Sequence, residues 1–590
     1  MTVEIVDPAD WRQAVGAAGI LRTFNEAGVI ESADVHVAQR LSEMSGESDP
    51  SVSLAVALVV RALRGGSVCL DLRMVEAQVG VPRLPWPDPD EWLAAVLASP
   101  LAGSPPVLRV YDGRLLYLDR YWREEQQVAD DFVALLSNRA LLSNRAAGQI
   151  SGLDRLFPHD YEEQRAAANT ALRQGLTVLT GGPGTGKTST VARLLALFAE
   201  QQELAGGPRL RIALSAPTGK AAARLNEAVQ LEIGELSEVD QQRVSGLRAT
   251  TLHRLLGSRP DSSSRFRHHR ANRLPHDVIV VDECSMVSLT MMARLLESVR
   301  PQTRLLLVGD PDQLASVEAG AVLADLVDGL GPQDEALAVL KTSHRFGESI
   351  GALALAIRDG DADLAVEVLR AGGDHVEWID TAEPTDELRK VLVPHALRLR
   401  AAAVLGDATA ALATLDEHRL LCAHRRGPHG IQYWNRQVER WLAEATGEPI
   451  WSSWYVGRPV LVTTNDYGLG VYNGDAGVTV LDAEHEGALR VVIAGTDGLL
   501  GFASSRLSDV ETMHAMTIHK SQGSQADDVT VLMPPEDSRL LTRELFYTAV
   551  TRAKKKVRVV GSESTVRAAV GRRAIRASGL AHRLHATRAI

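Results

Sequence analysis

The sequence of 590 residues predicts an α/β fold with two parallel-sheet units, a helical N-terminal region and a small antiparallel β insert. Short apolar runs recur between helical stretches from residue 176 onward, as is typical of parallel strands covered on both faces. They form two groups, before and after about residue 340. Turn-forming Asn-Asp and Asn-Gly-Asp sequences within 456–482 indicate hairpins and therefore the insert. The runs are LTVLT (176–180), LRIALSA (210–216), VIVVD (278–282), LLLVG (305–309), LLCAH (420–424), VTVLM (529–533) and VRVVG (557–561).

Length and composition limit the class of protein. A chain of this length divides into roughly three or four domains, because a single core stops growing at about 250–300 residues. The cysteines, Cys69, Cys284 and Cys422, have no C-x-x-C spacing, which argues against structural zinc and disulfides and predicts a reducing, cytoplasmic location. The most apolar run, 53–60, is too short to span a bilayer, so we expect a core helix and no membrane contact.

The net charge of −11 argues mildly against nucleic acid as a partner, because phosphate neutralisation requires Lys and Arg. It does not exclude a local basic channel, which is what binds a strand.

A glycine-rich turn in TVLTGGPGTGKTSTVARLLAL (177–197) predicts a phosphate site. Its residues match G-x-x-x-x-G-K-[ST], in which glycines let backbone N–H groups approach phosphates, Lys187 neutralises the β and γ phosphates and Thr188 offers a hydroxyl to Mg²⁺. An apolar strand precedes the turn and an amphipathic helix follows it, as this motif requires. The predicted nucleotide-binding residues of the turn are Gly181, Gly182, Pro183, Gly184, Thr185, Gly186, Lys187, Thr188 and Ser189.

An acidic pair at the end of the run VIVVD predicts the metal and base chemistry. Asp282 is expected to hold Mg²⁺ together with Thr188, and Glu283 to act as general base toward the attacking water. The alternative is a solvated acidic loop. We favour the catalytic interpretation because the same chain already carries a phosphate loop.

An ordered series of motifs runs along the chain from the glycine-rich turn to residue 557. The motifs are the glycine-rich turn, APTGKAAARL (216–225), TLHRLLG (251–257), VVDECSM (280–286), VGDPDQLASVEAGAVLADL (308–326), SHRF (343–346), MTIHKSQGSQADDVTVLMP (516–534) and FYTAVTRAKKKV (546–557). This series resembles that of superfamily 1 DNA helicases, and in particular the RecD family, whose members are the α subunit of the RecBCD (exonuclease V) complex. Ala315 and Cys284 depart from the usual family pattern, Pro and Ala, beside intact chemical residues.

The resemblance implies two RecA-like P-loop motor domains with a helical N-terminal domain and a small SH3-like β insert. The expected boundaries are 1–150 for a partner-docking domain and linker, 151–340 for the first motor domain with an arm at about 258–275, and 341–590 for the second motor domain with the insert at about 440–510.

The resemblance also implies roles for single residues. Gln164 is expected to read the adenine edge, Gln313 to sense the γ-phosphate, and Arg345 and Arg552 to act as arginine fingers from the second motor domain. Together with Lys187, Asp282 and Glu283, the last three complete the predicted catalytic set. The expected DNA contacts are Thr218, Lys220, Thr251, His253, Thr517, His519, Lys520 and Gln522.

The activity implied by the resemblance is ATP- and Mg²⁺-dependent 5′→3′ movement on DNA, with RecB and RecC as partners, in double-strand break repair and homologous recombination. Two alternatives stay open: a stand-alone RecD-like helicase, and a regulatory subunit that binds ATP as a switch without translocating. An RNA helicase is a weaker third option, because sequence does not show how a channel treats a 2′-OH.

Overall fold

A computed structural model describes residues 11–588 apart from 82, 138–151, 260–261, 343–347, 467, 483–484, 486 and 496–497. It confirms the predicted fold class: two α/β domains with parallel sheets, a mainly helical N-terminal domain and an antiparallel β insert. None of the described helices is long and apolar enough to cross a membrane.

The N-terminal domain packs helices around the apolar run 53–60, which lies in a helix and is buried from Leu54 to Val59. Asp49 begins this helix because its side-chain Oδ1 accepts from the Ser51 N–H at 2.8 Å, and Pro50 suits the first turn. The elements are α1 (Gly19–Glu26), α2 (Ser32–Ser45), α3 (Pro50–Arg64), β1 (Leu70–Asp71), α4 (Val75–Val79), α5 (Pro89–Ala98), β2 (Leu108–Tyr111), β3 (Leu115–Leu118) and α6 (Asp119–Ser137).

The first α/β domain is built on a parallel sheet of order β11-β4-β10-β9-β5-β6. Helices cover both faces, so the inner strands are buried on both sides and read as unbroken apolar runs. Its elements are α7 (Leu153–Leu156), α8 (Glu162–Arg173), β4 (Leu176–Gly181), α9 (Lys187–Leu204), β5 (Ile212–Ala216), α10 (Gly219–Gly234), α11 (Glu238–Arg243), β6 (Ala249–Thr251), α12 (Leu252–Leu256), β7 (Ser258–Arg259), β8 (Ser262–Phe266), β9 (Val278–Val281), α13 (Leu289–Ser298), β10 (Arg304–Gly309), α14 (Val322–Leu330) and β11 (Leu337–Leu340). Strands β7 and β8 pair as an antiparallel arm inside the predicted range 258–275.

The second α/β domain repeats the design with a parallel sheet of order β12-β21-β20-β13-β19. Its elements are α15 (Glu348–Asp359), α16 (Ala362–Ala371), β12 (Val376–Ile379), α17 (Thr385–Val404), α18 (Ala408–Glu417), β13 (His418–Cys422), α19 (Ile431–Thr446), β19 (Ala515–Thr517), β20 (Ala526–Leu532), α20 (Arg543–Val550), β21 (Ala553–Val560) and α21 (Glu563–Gly571). A last helix, α22 (Leu580–Arg588), follows it.

The β insert is an antiparallel sheet of order β17-β16-β15-β14-β18. Its strands are β14 (Pro459–Val462), β15 (Ala476–Leu481), β16 (Leu489–Gly495), β17 (Gly498–Ala503) and β18 (Val510–Thr512). The expected start at about residue 440 falls inside α19, whose Trp434 and Trp441 are buried in the core of the second α/β domain. The strands therefore begin later than expected, because two buried indoles hold this stretch in the domain that precedes them.

The last helix of the chain does not pack in the second motor domain, although the expected boundaries of that domain, 341–590, include it. Helix α22 leaves the second α/β domain and packs against α14 of the first α/β domain and α6 of the N-terminal domain. Leu580 and Leu584 are fully buried there.

Candidate functional site

The predicted phosphate turn joins β4 to α9. Gly184 and Gly186 have φ of 81° and 83°, which only glycine adopts readily, and a Cβ at Gly181 would lie 2.6 Å from the Leu340 carbonyl oxygen. The Lys187 Nζ donates to the Gly181 and Gly182 carbonyls at 2.6 and 2.8 Å. The turn therefore places an ammonium group and the N-terminus of a long helix at one point, which suits a polyphosphate.

The acidic pair follows β9, which lies two strands from β4 in the sheet. Burial, and then the neighbouring carboxylate of Glu283, raise the pKa of Asp282 to about 6. Glu283 has a φ of 52°, a conformation that costs about 1–3 kcal/mol for a non-glycine residue and is concentrated at functional sites. A divalent cation beside Asp282 would relieve this concentration of negative charge.

The donor set fits a nucleotide-bound Mg²⁺ better than a metal held by protein alone. Among the residues that the structure describes, no group of three or more His, Cys, Asp or Glu side chains could hold a metal ion. Thr188 and Asp282 line one cavity, and Mg²⁺ in phosphate sites takes one or two protein ligands and completes its shell with phosphates and water.

A cavity of about 640 Å³ lies between the two α/β domains, within the range of small-molecule sites. Gly181, Gly182 and Thr185 form the turn behind it, and the Thr185 hydroxyl donates to the Gly182 carbonyl at 2.9 Å. The other predicted catalytic and nucleotide-binding residues that the structure describes all line the cavity: Gln164, Pro183, Gly184, Gly186, Lys187, Thr188, Ser189, Asp282, Glu283, Gln313 and Arg552.

A chain of hydrogen bonds crosses this cavity wall from one α/β domain to the other. Arg552 Nη2 donates to Gln313 Oε1 at 2.7 Å, and Gln313 Nε2 donates to Asp310 Oδ2 at 2.9 Å. The Tyr547 hydroxyl donates to the same Asp310 oxygen at 3.1 Å. Arg552, from the second domain, thus shares a cavity with Lys187, from the first. The other predicted finger, Arg345, lies outside the described residues.

The residue after Gln313 is also held from the second α/β domain. The Leu314 N–H donates to Thr548 Oγ1 at 2.9 Å, and Gln522 Nε2 donates to the Leu314 carbonyl at 2.7 Å. Gln522 was expected to contact a strand, but its side chain is buried in this interface. Its position links the segment around 517–522 to Gln313.

The predicted strand contacts of the first α/β domain follow the carboxyl ends of β5 and β6. Thr218 and Thr251 cap α10 and α12, since each Oγ1 accepts a backbone N–H at 3.2 Å. Burial, followed by Arg419, lowers the pKa of Lys220 to about 8. Burial also lowers the pKa of His253. These residues lie at one edge of the sheet, and their role in contacting the phosphates of a strand stays a prediction.

The strand contacts predicted in the second α/β domain follow β19. Thr517 Oγ1 accepts from the Lys520 N–H at 3.3 Å, and Lys520 Nζ pairs with Glu511 Oε2 of the insert at 2.7 Å. Burial lowers the pKa of His519. A Cβ at Gly523 would lie 3.3 Å from the Cβ of Ala221. The two predicted strand-binding segments therefore meet across the boundary between the domains.

Sequence reasoning missed several residues that line the cavity. Arg193 lies over the Tyr161 ring, with 4.6 Å from Cζ to the ring centroid. Arg224 lies four residues after Lys220 on α10, and Glu232 hydrogen-bonds Ser189. Helical spacing from Lys220 was a possible signal for Arg224. No local signal distinguishes the others from surface side chains, because the elements that bring them together are distant in sequence.

Family models match most of the chain in three parts. They are described as an AAA domain (residues 160–381), a UvrD-like helicase C-terminal domain (512–560) and the N-terminal domain of RecBCD enzyme subunit RecD (26–117).

Curated relatives match nearly the whole chain. RecBCD enzyme subunit RecD of Mycolicibacterium smegmatis is 70% identical over 96% of this chain and 99% of the relative. The protein of that name from Mycobacterium tuberculosis is 66% identical over 97% and 98%. The ATP-dependent RecD2 DNA helicase of Deinococcus radiodurans is 32% identical, over 72% of this chain but only 52% of the relative.

Proposed function

Because the chain belongs to the RecD family of superfamily 1 helicases, we propose that it couples hydrolysis of Mg²⁺-bound ATP to 5′→3′ movement along single-stranded DNA. We further propose that it does so together with RecB and RecC, in double-strand break repair and homologous recombination. The observation that carries the motor chemistry is the shared cavity, in which Lys187 and Asp282 face Arg552 of the other domain.

The residues of the cavity divide the chemistry between them. Bound Mg²⁺-ATP supplies the cleavable phosphoanhydride and the charge of the cation. Lys187 would neutralise the β and γ phosphates, and Thr188 and Asp282 would hold the cation. Glu283 accepts the proton of the attacking water. Arg552 stabilises the charge that spreads over the transferred phosphoryl group, with Arg345 proposed as a second source of positive charge.

Recognition of the base is assigned to Gln164. Gln164 is buried and its amide lies next to Gly186, since a Cβ there would be 3.3 Å from Nε2. Its remaining hydrogen-bonding capacity suits the edge of an adenine.

The interface between the domains supplies the proposed coupling. Gln313 contacts Arg552, and Leu314 is bonded by Gln522 and Thr548 of the second domain. A change in the cavity that moves Arg552 must therefore also move Gln522, which lies beside Thr517 and Lys520. We infer that the two sets of strand contacts alternate their grip as the cavity opens and closes.

Coverage of the relatives separates the complex-forming subunit from a stand-alone helicase. The chain spans 98–99% of the mycobacterial RecD relatives, but about half of the RecD2 helicase. It also carries the segment matched by the RecD N-terminal domain, 26–117. Both facts favour a subunit that works with RecB and RecC.

The test measures ATP hydrolysis with and without single-stranded DNA, and unwinding of a duplex with a 5′ tail, by the chain alone and with RecB and RecC. Lys187→Gln is expected to abolish both activities. Lys390→Gln is the matched control, because Lys390 is an exposed residue of α17 that pairs with Glu387 and does not line the cavity. Hydrolysis that ignores single-stranded DNA would support the ATP-switch alternative and overturn the motor. Efficient unwinding by the free chain would favour the stand-alone helicase.

A further inference from the structure

The segment 572–579, which we call the C-terminal connector, runs from the second α/β domain to the first. It follows α21 in the chain and first contacts α20, the helix that carries Tyr547 and Thr548. The Arg543 N–H donates to the Arg572 carbonyl at 2.7 Å, and the Ala574 N–H donates to Glu544 Oε2 at 2.8 Å. Ala574 is therefore the last residue of the connector bonded to the second domain through these contacts.

Two residues later the connector contacts the first α/β domain. Arg576 Nη1 donates to the Ser316 carbonyl at 2.5 Å and to the Gly320 carbonyl at 3.3 Å. Its guanidinium also covers Gly66 of the N-terminal domain, where a Cβ would lie 2.8 Å from Cζ. The Gly320 N–H in turn donates to the Gly66 carbonyl at 2.9 Å. Arg576 thus joins the loop 316–320 to the N-terminal domain.

The connector then anchors itself on the N-terminal domain. The Val68 N–H donates to the Ala577 carbonyl at 2.8 Å. The buried Arg583 pairs with the buried Glu125 through Nε and Oε2 at 2.9 Å. Ser578 Oγ donates to the other Glu125 oxygen at 2.8 Å. These buried contacts leave the connector little freedom after Arg576.

The loop that Arg576 holds is the continuation of the Gln313 segment. At one end Gln313 and Leu314 are bonded to the second α/β domain, and at the other end Ser316 and Gly320 are bonded to Arg576. Only two peptide steps separate Ala574 from Arg576, a reach of at most about 7 Å. Any movement of α20 away from the loop must strain this short link or displace the loop.

We propose that Arg576 is a positioning residue for ATP hydrolysis, which sets the loop 316–320, and through it Gln313, according to the relative position of the two motor domains. The inference rests on the proposed function, because it assigns Gln313 to the nucleotide site. Arg576 itself does not touch the nucleotide; it acts through main-chain carbonyls, and its guanidinium can bond two of them while bracing on Gly66.

The test compares Arg576→Gln and Arg576→Lys with Arg588→Gln. Arg588 lies on α22 of the same C-terminal stretch and pairs with Asp334 at the surface, so it controls for a lost arginine. We expect Arg576→Gln to lower kcat for hydrolysis about tenfold and to leave the KM for ATP within about twofold. Arg576→Lys should recover part of the rate, and Arg588→Gln should match the wild type. Wild-type kcat in Arg576→Gln, or a rise in KM alone, would overturn the proposal.

A second measurement uses the unaltered chain and does not depend on whether a variant folds. Addition of the analogue AMP-PNP should change amide hydrogen exchange in 314–321, 64–69 and 572–579 together. A change in 314–321 with none in the other two segments would contradict the proposal. Failure of the proposed function has a different signature, namely wild-type hydrolysis that does not respond to single-stranded DNA.

Discussion

Replacement of Arg552 by Gln separates the contribution of this arginine to the hydrolysis rate from its contribution to the folding free energy. The side chain is 3% exposed, and it donates from Nη2 to Gln313 at 2.7 Å and from Nε to the Thr548 carbonyl at 3.1 Å. Loss of the guanidinium leaves these acceptors without their donor, which costs about 1–3 kcal/mol of folding free energy. This loss of folding free energy does not depend on a bound nucleotide.

The expected contribution of Arg552 to transition-state stabilisation is larger than its contribution to folding. An arginine that stabilises the transferred phosphoryl group contributes about 10³–10⁵ in rate. At 1.36 kcal/mol per decade this is about 4–7 kcal/mol of transition-state stabilisation. We therefore expect kcat for DNA-stimulated hydrolysis to fall at least about 10³-fold in Arg552→Gln, with a smaller effect on the KM for ATP.

The assay is steady-state hydrolysis at saturating single-stranded DNA, with thermal unfolding measured on the same preparations. Arg558→Gln is the matched control, because Arg558 is 9% exposed and bonds Thr530 and Glu377 at 3.1 and 2.9 Å in the same domain. It should lose stability similar to Arg552→Gln and keep its hydrolysis rate. A kcat for Arg552→Gln within tenfold of the wild type would refute the assignment of Arg552 to the transition state.

Three further predictions concern the turn, the base and pH. Gly181→Ala should weaken ATP binding more than about tenfold in a fluorescent-nucleotide titration, since its Cβ would lie 2.6 Å from the Leu340 oxygen; unchanged affinity would contradict the rigid turn. Gln164→Ala should raise the KM for ATP about tenfold, the value of one hydrogen bond, and reduce discrimination against GTP at an unchanged kcat; retained selectivity would exclude Gln164 as the base reader. Burial lowers the pKa of His514 to about 3, whereas a histidine in the unfolded chain has a pKa of about 6.5. The contribution of the neutral His514 to the free energy of unfolding is therefore fully present above pH 6.5. It should fall by about 1.4 kcal/mol per pH unit below that, because the unfolded chain then binds the proton. Denaturant unfolding at pH 7.5 and 5.5 should show a smaller loss in His514→Gln, and equal losses would show that His514 is not responsible.

Local sequence predicted the parts of the site that lie on one continuous stretch. The phosphate turn needs glycines at positive φ beside a buried strand and an amphipathic helix. The residues that produce all of these features lie between positions 176 and 204. The helix expected after the turn is α9, and its apolar residues Val191, Leu194, Leu195 and Phe198 are buried in the structure. The fold class was equally accessible, because strands covered on both faces produce unbroken apolar runs.

Other assignments could not be made locally. Gln522 is a polar residue of the kind expected at the surface. Its side chain is nevertheless buried and bonded to the Leu314 carbonyl, which is 208 residues away in the chain. The start of the insert was misplaced because Trp434 and Trp441 pack into a core whose other members come from distant elements. Arg193 and Tyr161 have no distinguishing neighbours, so the cavity wall that they form was not predicted.

By itself, the sequence determined the chemistry available to this protein: a turn for phosphates, a carboxylate pair after a buried strand, and an order of motifs that resembles a helicase. These depend on backbone geometry and side-chain type within a few residues. Only the tertiary structure decided which of these groups share a cavity, that Arg552 meets Gln313 across it, and that the chain returns through Arg576 to the N-terminal domain. The physical reason is that burial and contacts arise only when surfaces from distant parts of the chain pack together. The periodicity of one segment shows which of its faces is apolar, but it does not show which other element covers that face.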